Sequence, residues 1–234
     1  QERLRLMATW LDDFEPLTVE SAIPLHAPFA APRTSTHPYN VDDGDLDKKA
    51  MALLGWVLPE INDPAELMGL SVLSYALMGT PASPLRKTLI DSGMGADVIG
   101  GGLSRSLRQP TFEAGLKGID GTKAADVEAL ILETLGALAA DGLEPDMIEA
   151  SVNTIEFALR ENNTGNFPRG ISLMLTAMRT WLHDGDPFAS LAFDGAITAV
   201  KNQIATNPTY FQNLIQTYLL GNSHRALTIM LPDT

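Results

Sequence analysis

The sequence predicts an α+β domain with two layers, in which helices pack on one face of a mainly antiparallel sheet. Strand-like segments come first along the chain, several amphipathic helices follow, and an alternating segment at residues 225–231 closes it. When strands and helices are segregated in this way, the strands commonly pair antiparallel and the helices share one side of the sheet. The 234 residues, 45% of them hydrophobic, are enough for a substantial core.

The strands are predicted from apolar runs and from alternation. Residues 48–58 are apolar and strand-like, although their alanine and leucine content leaves a helix possible. Residues 111–119 alternate between apolar and polar side chains, so one face of this strand is expected to be buried. Residues 98–99 indicate a further strand, which residues 100–110 would join to it as a hairpin loop.

The helices are predicted from apolar spacing and from their terminal residues. Asp63 suits an N-cap, Pro64 suits the first turn, and Glu66 would complete a capping box. The helix that follows, at residues 64–78, is apolar or small on most sides and is therefore expected to be buried. Further helices are expected at residues 3–14, 84–91, 123–140, 145–162, 168–182 and 207–221.

The chain is expected to have three parts. Residues 1–14 indicate a helix, and residues 15–45, with five prolines, indicate a linker or extended strap. Residues 46–234 would form the α+β domain itself. The first residues lack an initiator methionine and have a helical pattern, so we expect the chain to be part of a longer protein.

Composition excludes several classes of partner. The formal net charge of -13, with 16 lysines and arginines spread along the chain, argues against nucleic-acid binding. The absence of cysteine excludes thiolate metal sites and a cysteine nucleophile. Since no segment has the roughly 18 apolar residues of a membrane span, we expect a soluble protein without a membrane partner. The compartment stays open between a bacterial cytoplasm and an organelle matrix.

The glycine-rich stretch at residues 79–102 resembles a phosphate-binding loop only superficially. A phosphate loop needs glycine directly before the lysine, but Arg86 precedes Lys87. Val98 and Arg105 occupy positions where a dinucleotide-binding fingerprint would need glycine. The glycines therefore indicate turns and other backbone features rather than a nucleotide site.

No catalytic residue and no metal ligand is predicted in this chain. The histidines, His26, His37, His183 and His224, have no second ligand at the helical spacing of a zinc site. The nucleophile pattern G-x-S-x-G is also absent. The aspartates of residues 183–186 (His-Asp-Gly-Asp) fit a turn after a helix better than a metal cluster.

A stripe of large side chains lies in the helix predicted at residues 168–182. Met174, Met178 and Trp181 are spaced to share one helical face. Core packing is the favoured interpretation of this spacing, and a binding surface is the alternative.

Four segments resemble the presequence protease branch of the pitrilysin/insulinase zinc metallopeptidases: residues 79–93, the three glycines at 100–102, residues 109–118 and residues 181–187. The resemblance covers most of the chain and is to the second, non-catalytic domain of the N-terminal half. It implies that residues 1–14 are the last helix of the preceding domain. It implies a parent zinc metalloendopeptidase that degrades short unfolded peptides. The zinc motif, H-x-x-E-H, belongs to another domain, so the resemblance implies that this fragment alone is inactive and holds no cofactor.

The same resemblance implies a possible substrate exosite. In insulinase relatives a second-domain strand ending in Val-Gly-Gly pairs with the N-terminal end of the substrate, and the matching positions here are Val98, Ile99, Gly100, Gly101 and Gly102. Glycines would leave a backbone edge free of side chains, on which an extended peptide can add as a strand. A flexible hairpin entry without a ligand is the alternative, and the sequence leaves both open.

Two classes of function follow from the resemblance. The first is a chamber-wall and exosite domain, whose partners are the other domains of the parent peptidase and extended peptide substrates. The alternative is a structural or assembly module of a multi-subunit complex, as inactive peptidase homologues can be. In either case the helices at residues 1–14 and 168–182 could expose interdomain surfaces that drive self-association of the isolated chain.

Overall fold

The strands form a single mixed sheet in the computed structural model, which describes residues 1–15, 17–20, 22–41, 44 and 46–233. The strands are β1 (Arg33–Asn40), β2 (Ala50–Val57), β3 (Asp97–Ser104), β4 (Thr111–Ile119) and β5 (Arg225–Asp233). Their order across the sheet is β1-β5-β2-β4-β3. β1 and β5 are parallel, whereas β5–β2, β2–β4 and β4–β3 are antiparallel. The predicted fold class is confirmed.

Helices occupy most of the remaining described chain. They are α1 (Glu2–Leu11), α2 (Pro64–Met78), α3 (Pro84–Asp91), α4 (Ala124–Asp141), α5 (Pro145–Glu161), α6 (Arg169–Trp181), α7 (Asp194–Thr206) and α8 (Tyr210–Ile215). α8 continues into a π-helical turn at Gln216–Leu220, and a 3-10 turn at Gly121–Lys123 precedes α4. α7 has no counterpart among the helices predicted from the sequence. No side-chain cap marks its start, although Ile197 and Val200 of this helix are buried in the core.

The core lies between the sheet and the helices on one of its faces. Along β2 the side chains of Ala52, Leu54 and Trp56 are buried, while the residues between them are partly exposed. The apolar run therefore forms a strand rather than the helix that its composition also allowed. The indole N–H of Trp56 donates to the carbonyl of Leu219 at 2.9 Å, which joins the sheet to the end of the helical layer.

Helix α2 is buried, as predicted, with nine of its fifteen residues in the core. The Asp63 side chain accepts a hydrogen bond from the N–H of Ala65 at 2.9 Å and caps the helix. The predicted capping box is not formed, because the Glu66 carboxylate instead accepts a hydrogen bond from the Tyr218 hydroxyl. Glu66 is thus paired with Tyr218, 152 positions away in the chain, instead of with the start of its own helix.

Strand β1 lies within the segment that the sequence analysis assigns to a linker. Its eight residues pair in parallel with β5, from Arg33 opposite Ala226 to Asn40 opposite Asp233. β1 lacks apolar alternation and contains Pro38, which an edge position tolerates because only one side of the strand is hydrogen-bonded. The strand predicted at residues 225–231 is confirmed as β5, and the division of the chain at residue 45 stays a prediction.

Candidate peptide-binding edge

The five candidate residues, Val98 to Gly102 in sequence, lie in β3, at one edge of the sheet formed by the described residues. The prediction that residues 100–110 form a loop is wrong for its first part. β3 continues to Ser104, so the connection to β4 is only residues 105–110. The glycines are therefore part of an edge strand, with β4 on one side.

A β-bulge interrupts the pairing of β3 with β4. Ile99 lies opposite Gly115 and Gly102 lies opposite Glu113, so two residues of β3 stand against a single residue of β4. Bulges of this kind leave a residue unpaired and bend the strand locally. The bulge coincides with the glycine run. Because it accommodates the extra residue, the pairing of β3 with β4 resumes at Gly102 and the glycines remain part of the strand.

Two of the three glycines are required by the backbone of the bulge. Gly100 and Gly102 have φ angles of +84° and +74°, a region that side chains with a Cβ rarely adopt. A Cβ at Gly100 would lie 2.7 Å from the carbonyl carbon and oxygen of Glu113, and one at Gly102 would lie 2.3 Å from the Ser74 hydroxyl. Their presence is thus explained by the fold.

Gly101 differs from its two neighbours. Its φ lies outside the left-handed region, and a Cβ built on it would meet nothing within 4 Å. The residue is exposed at the outside of the bulge. Neither backbone strain nor a close contact therefore accounts for glycine at this position.

Hydrogen bonds fix the strand on both sides of the glycines. The N–H of Val98 donates to the Asp97 carboxylate at 2.8 Å, and the N–H of Leu103 donates to the Ser74 hydroxyl oxygen at 2.8 Å. The Asp97 carboxylate also lies 3.1 Å from the Lys117 ammonium group. The hydrogen bond from Lys117, followed by that from Val98, lowers the pKa of Asp97. Asp97 is therefore a charged acceptor beside the edge.

The residues that the structure describes do not fit a zinc site. Across these residues, no three His, Asp or Glu side chains come together to hold a metal ion. His26 and His224 do meet, with Nδ1 of the first 3.0 Å from Nε2 of the second, although they are 198 positions apart. Sequence reasoning missed this pair because no local spacing connects the two residues.

The histidine pair belongs to the contact between the strap and the sheet. The Phe29 ring packs edge-on against His224, with the ring centroids 4.5 Å apart. The Ser223 hydroxyl donates to the Phe29 carbonyl at 2.7 Å. His224 is buried, and burial followed by the charges of His26 and Arg33 lowers its pKa. These contacts favour a neutral, structural His224.

The predicted core stripe of α6 is wrong. Met174 and Trp181 are 50% and 65% exposed, and no residue of this helix is buried. The helix is amphipathic as expected, but most of its apolar side chains point away from the core of the described domain. The turn after α6 is confirmed, with the N–H of Gly185 donating to the carbonyl of Thr180 at 3.0 Å. Every helix in the described part of the chain is too short or too polar to cross a membrane.

The fold matches solved structures of proteases, among them an inactive peptidase domain. The inactive peptidase domain of a zinc protease from Bordetella parapertussis matches with a TM-score of 0.62 at 17% identity, over 79% of this chain and 91% of that one. The ferredoxin protease FusC, solved in complex with Arabidopsis ferredoxin, matches with a TM-score of 0.64 at 14% identity, over 92% of this chain and 22% of that one. At such identities these matches show the fold alone.

The chain belongs to the peptidase M16 family of zinc proteases, since residues 1–155 match the peptidase M16 inactive domain. It is 44% identical over 239 residues to presequence protease 1, chloroplastic/mitochondrial, of Arabidopsis thaliana. That alignment covers 99% of this chain and 22% of the relative, so the chain spans about a fifth of the length of this relative. The resemblance to presequence proteases is confirmed, and the chain is a non-catalytic peptidase-like domain.

Proposed function

We propose that the chain is a chamber-wall domain of a larger zinc-dependent endopeptidase, and that its β3 edge is an exosite for extended peptides. Catalysis, zinc and the remaining chamber walls would be supplied by other domains of the parent protein. The substrates would be short unfolded peptides, because only an extended backbone can add to a sheet edge as a further strand.

The observation that carries the proposal is the open position of Gly101. Folding accounts for Gly100 and Gly102 through their φ angles and contacts, but it does not account for Gly101. A glycine at this place leaves the outside of the bulge bare, so that a second backbone can approach closely. An exposed glycine in the strand favours the exosite over a hairpin entry without a ligand, because the hairpin alone does not require glycine at this position.

Asp97 would limit how far the bound peptide extends. Its carboxylate accepts the N–H of Val98, so a peptide carbonyl would have to displace the carboxylate to pair there. The Ser74 hydroxyl likewise accepts the N–H of Leu103. We therefore place the centre of the peptide contact at Gly101, between these two bonds.

The test is a Gly101→Val substitution in the 234-residue chain. The side chain fills the bare edge, and we expect about a tenfold loss of affinity for an unfolded decapeptide. Binding is measured by fluorescence anisotropy, and folding is checked by circular dichroism and thermal unfolding. Since no atom lies within 4 Å of the added Cβ, the domain is expected to fold normally.

Gly195→Val is the matched control. Gly195 is also exposed with nothing within 4 Å of a built Cβ, but it lies in the first turn of α7. This variant is expected to bind the peptide as the unmodified chain does. Unchanged affinity in Gly101→Val, with a folded domain, would remove the exosite.

A purely structural role in an assembly is the second candidate. The observation in its favour is the exposed apolar surface of α6, which includes Met174, Leu175 and Trp181. In a multidomain peptidase this surface would contact another domain, and in a multi-subunit complex it would contact a subunit. Loss of peptide binding in Gly101→Val would favour the exosite over an exclusively structural role.

A further inference from the structure

A second candidate site lies next to the β3 edge. It is a cavity of about 290 Å³ between the loop of residues 105–110, the start of α2, helix α6 and the segment before α7. β3 leads directly into it, because Ser104 is the last residue of the strand and Arg105 lines the cavity. At about 3.3 Å per residue, Arg105 is roughly 13 Å along the strand from Gly101.

The cavity is cationic in a chain whose formal net charge is -13. Its charged lining consists of Arg105, Arg108, Arg179 and Glu60, with His183 beside them. Arg108 is already neutralised, since its guanidinium forms an ion pair with Glu60 at 2.5 Å. The charge of Asp184 lies close enough to raise the pKa of Arg108 further.

Arg105 and Arg179 have no such partner. Neither forms an ion pair or a side-chain hydrogen bond with any residue that the structure describes, although Arg105 is half-buried. Burial lowers the pKa of Arg105, and the charge of Arg179 lowers it further. Two guanidinium groups that line one cavity without a carboxylate partner, one of them partly desolvated, are a favourable place for a ligand that carries negative charge.

The remaining wall of the cavity is apolar. It includes Ile61, Leu67, Leu107 and Phe193. A small inorganic anion would leave these side chains without a contact, whereas a peptide can place an apolar side chain against them and a carboxylate against the arginines. Arg recognises carboxylates with paired, charge-assisted hydrogen bonds.

We propose that Arg105 and Arg179 bind a carboxylate of the peptide that adds to the β3 edge. The inference rests on the proposed function, because it takes the ligand to be an extended peptide. The carboxylate is either the C-terminal one or that of an acidic side chain. A C-terminal carboxylate requires the peptide to run parallel to β3, whereas an acidic side chain fits either direction.

Four acetylated decapeptides of one neutral sequence, each with an uncharged dansyl label on a side chain, distinguish these sources. The first has a free C-terminal carboxylate and the second a C-terminal amide, and the third and fourth are amides with one Glu or one Gln near the end. We expect the matching carboxylate peptide to bind the 234-residue chain about tenfold more tightly than its neutral counterpart. This advantage is expected to disappear in the variant Arg105→Gln/Arg179→Gln.

Two further variants keep the test decisive. Arg3→Gln in α1 removes one positive charge outside the cavity, from a residue without an ion pair to any described residue, and should retain the advantage. Arg179→Gln alone changes an exposed position, so it should fold even if the double variant does not, and should lose part of the advantage. The proposal would be overturned if the unmodified chain bound carboxylate and neutral peptides with equal affinity. It would also be overturned if Arg3→Gln and Arg179→Gln reduced the carboxylate advantage equally, or if no peptide bound at about 1 mM.

Gly101→Val separates this proposal from the exosite. If that variant binds the neutral peptide as well as the unmodified chain does, the edge is not used. A carboxylate advantage that persists in the same variant would then still support the arginine site. If the arginine variants lose the higher affinity for carboxylate peptides but still bind the neutral peptide, the arginine contact and the contact at the β3 edge are independent of each other.

Discussion

Helices α2 and α6 border the same cavity but have opposite environments. Nine of the fifteen residues of α2 are buried, and Val72 and Leu77 are fully enclosed. No residue of α6 is buried, and its large apolar side chains are about half exposed. α2 therefore contributes to the stability of this domain, whereas α6 offers an apolar face for contact outside it.

The sequence patterns of the two helices explain why the prediction of burial is correct for α2 and wrong for α6. α2 is apolar or small on most sides, which leaves no extended polar face for solvent and favours burial. α6 has one apolar face, and that pattern is the same whether the face is covered by its own domain or by another protein. Periodicity thus identifies an apolar face without identifying what covers it.

The largest expected difference between the helices is in stability. Leu77→Ala removes a fully buried side chain of α2 and should lower the free energy of unfolding by about 2–5 kcal/mol. Met174→Ala in α6 should change it by less than about 0.5 kcal/mol, because the side chain is already half exposed. Urea unfolding of both variants measures the difference. Similar losses would show that α6 also belongs to the core.

The next effect is on self-association, which we expect of the isolated chain through its exposed apolar faces. Met174→Ser together with Trp181→Ser should raise the dissociation constant about tenfold, since both side chains lie on the exposed face of α6. Sedimentation velocity over a range of concentrations gives the constant.

The matched control for this experiment is the α1 pair Met7→Ser and Trp10→Ser, which is equally apolar and also exposed. An effect confined to the α1 pair would assign self-association to α1 instead of α6. A strict monomer at high concentration would contradict self-association altogether.

The smallest expected effect concerns the contact between α2 and the C-terminal helical segment. Burial, followed by the hydrogen bond to Glu66, raises the pKa of Tyr218 above its ordinary value of 10.0. The folded state therefore keeps this proton when the unfolded state releases it, and the stabilising contribution is complete below pH 10 and decreases as the pH rises further.

Tyr218→Phe tests this dependence on pH. It should cost about 1 kcal/mol at neutral pH, because Glu66 loses its donor, and it should flatten the decline in stability above pH 10. Thermal unfolding between pH 8 and about 11 compares the two proteins. The same alkaline slope in both would show that the titration of Tyr218 does not cause the decline in stability.

Much of the fold could be predicted from local signals. The N-cap at Asp63, the alternation of Phe112, Ala114 and Leu116, and the helical spacing in α4 and α5 act over a few residues, and the structure confirms each of them. β1 and α7 could not be predicted, because neither has a strong local pattern. β1 depends on its pairing with β5, and α7 on the burial of a few side chains against α2.

The candidate sites divide in the same way. The sequence alone determined the glycine run, the absence of a zinc-binding motif and the likeness to inactive peptidase domains, because all three depend only on the order of residues. Tertiary structure decided which of the glycines is not required by the backbone, and it placed Arg105 and Arg179 in the wall of one cavity. Both outcomes depend on contacts between residues that are distant in the chain, which no local pattern specifies. Ser74 and Glu113, which lie against the glycines of the bulge, are examples.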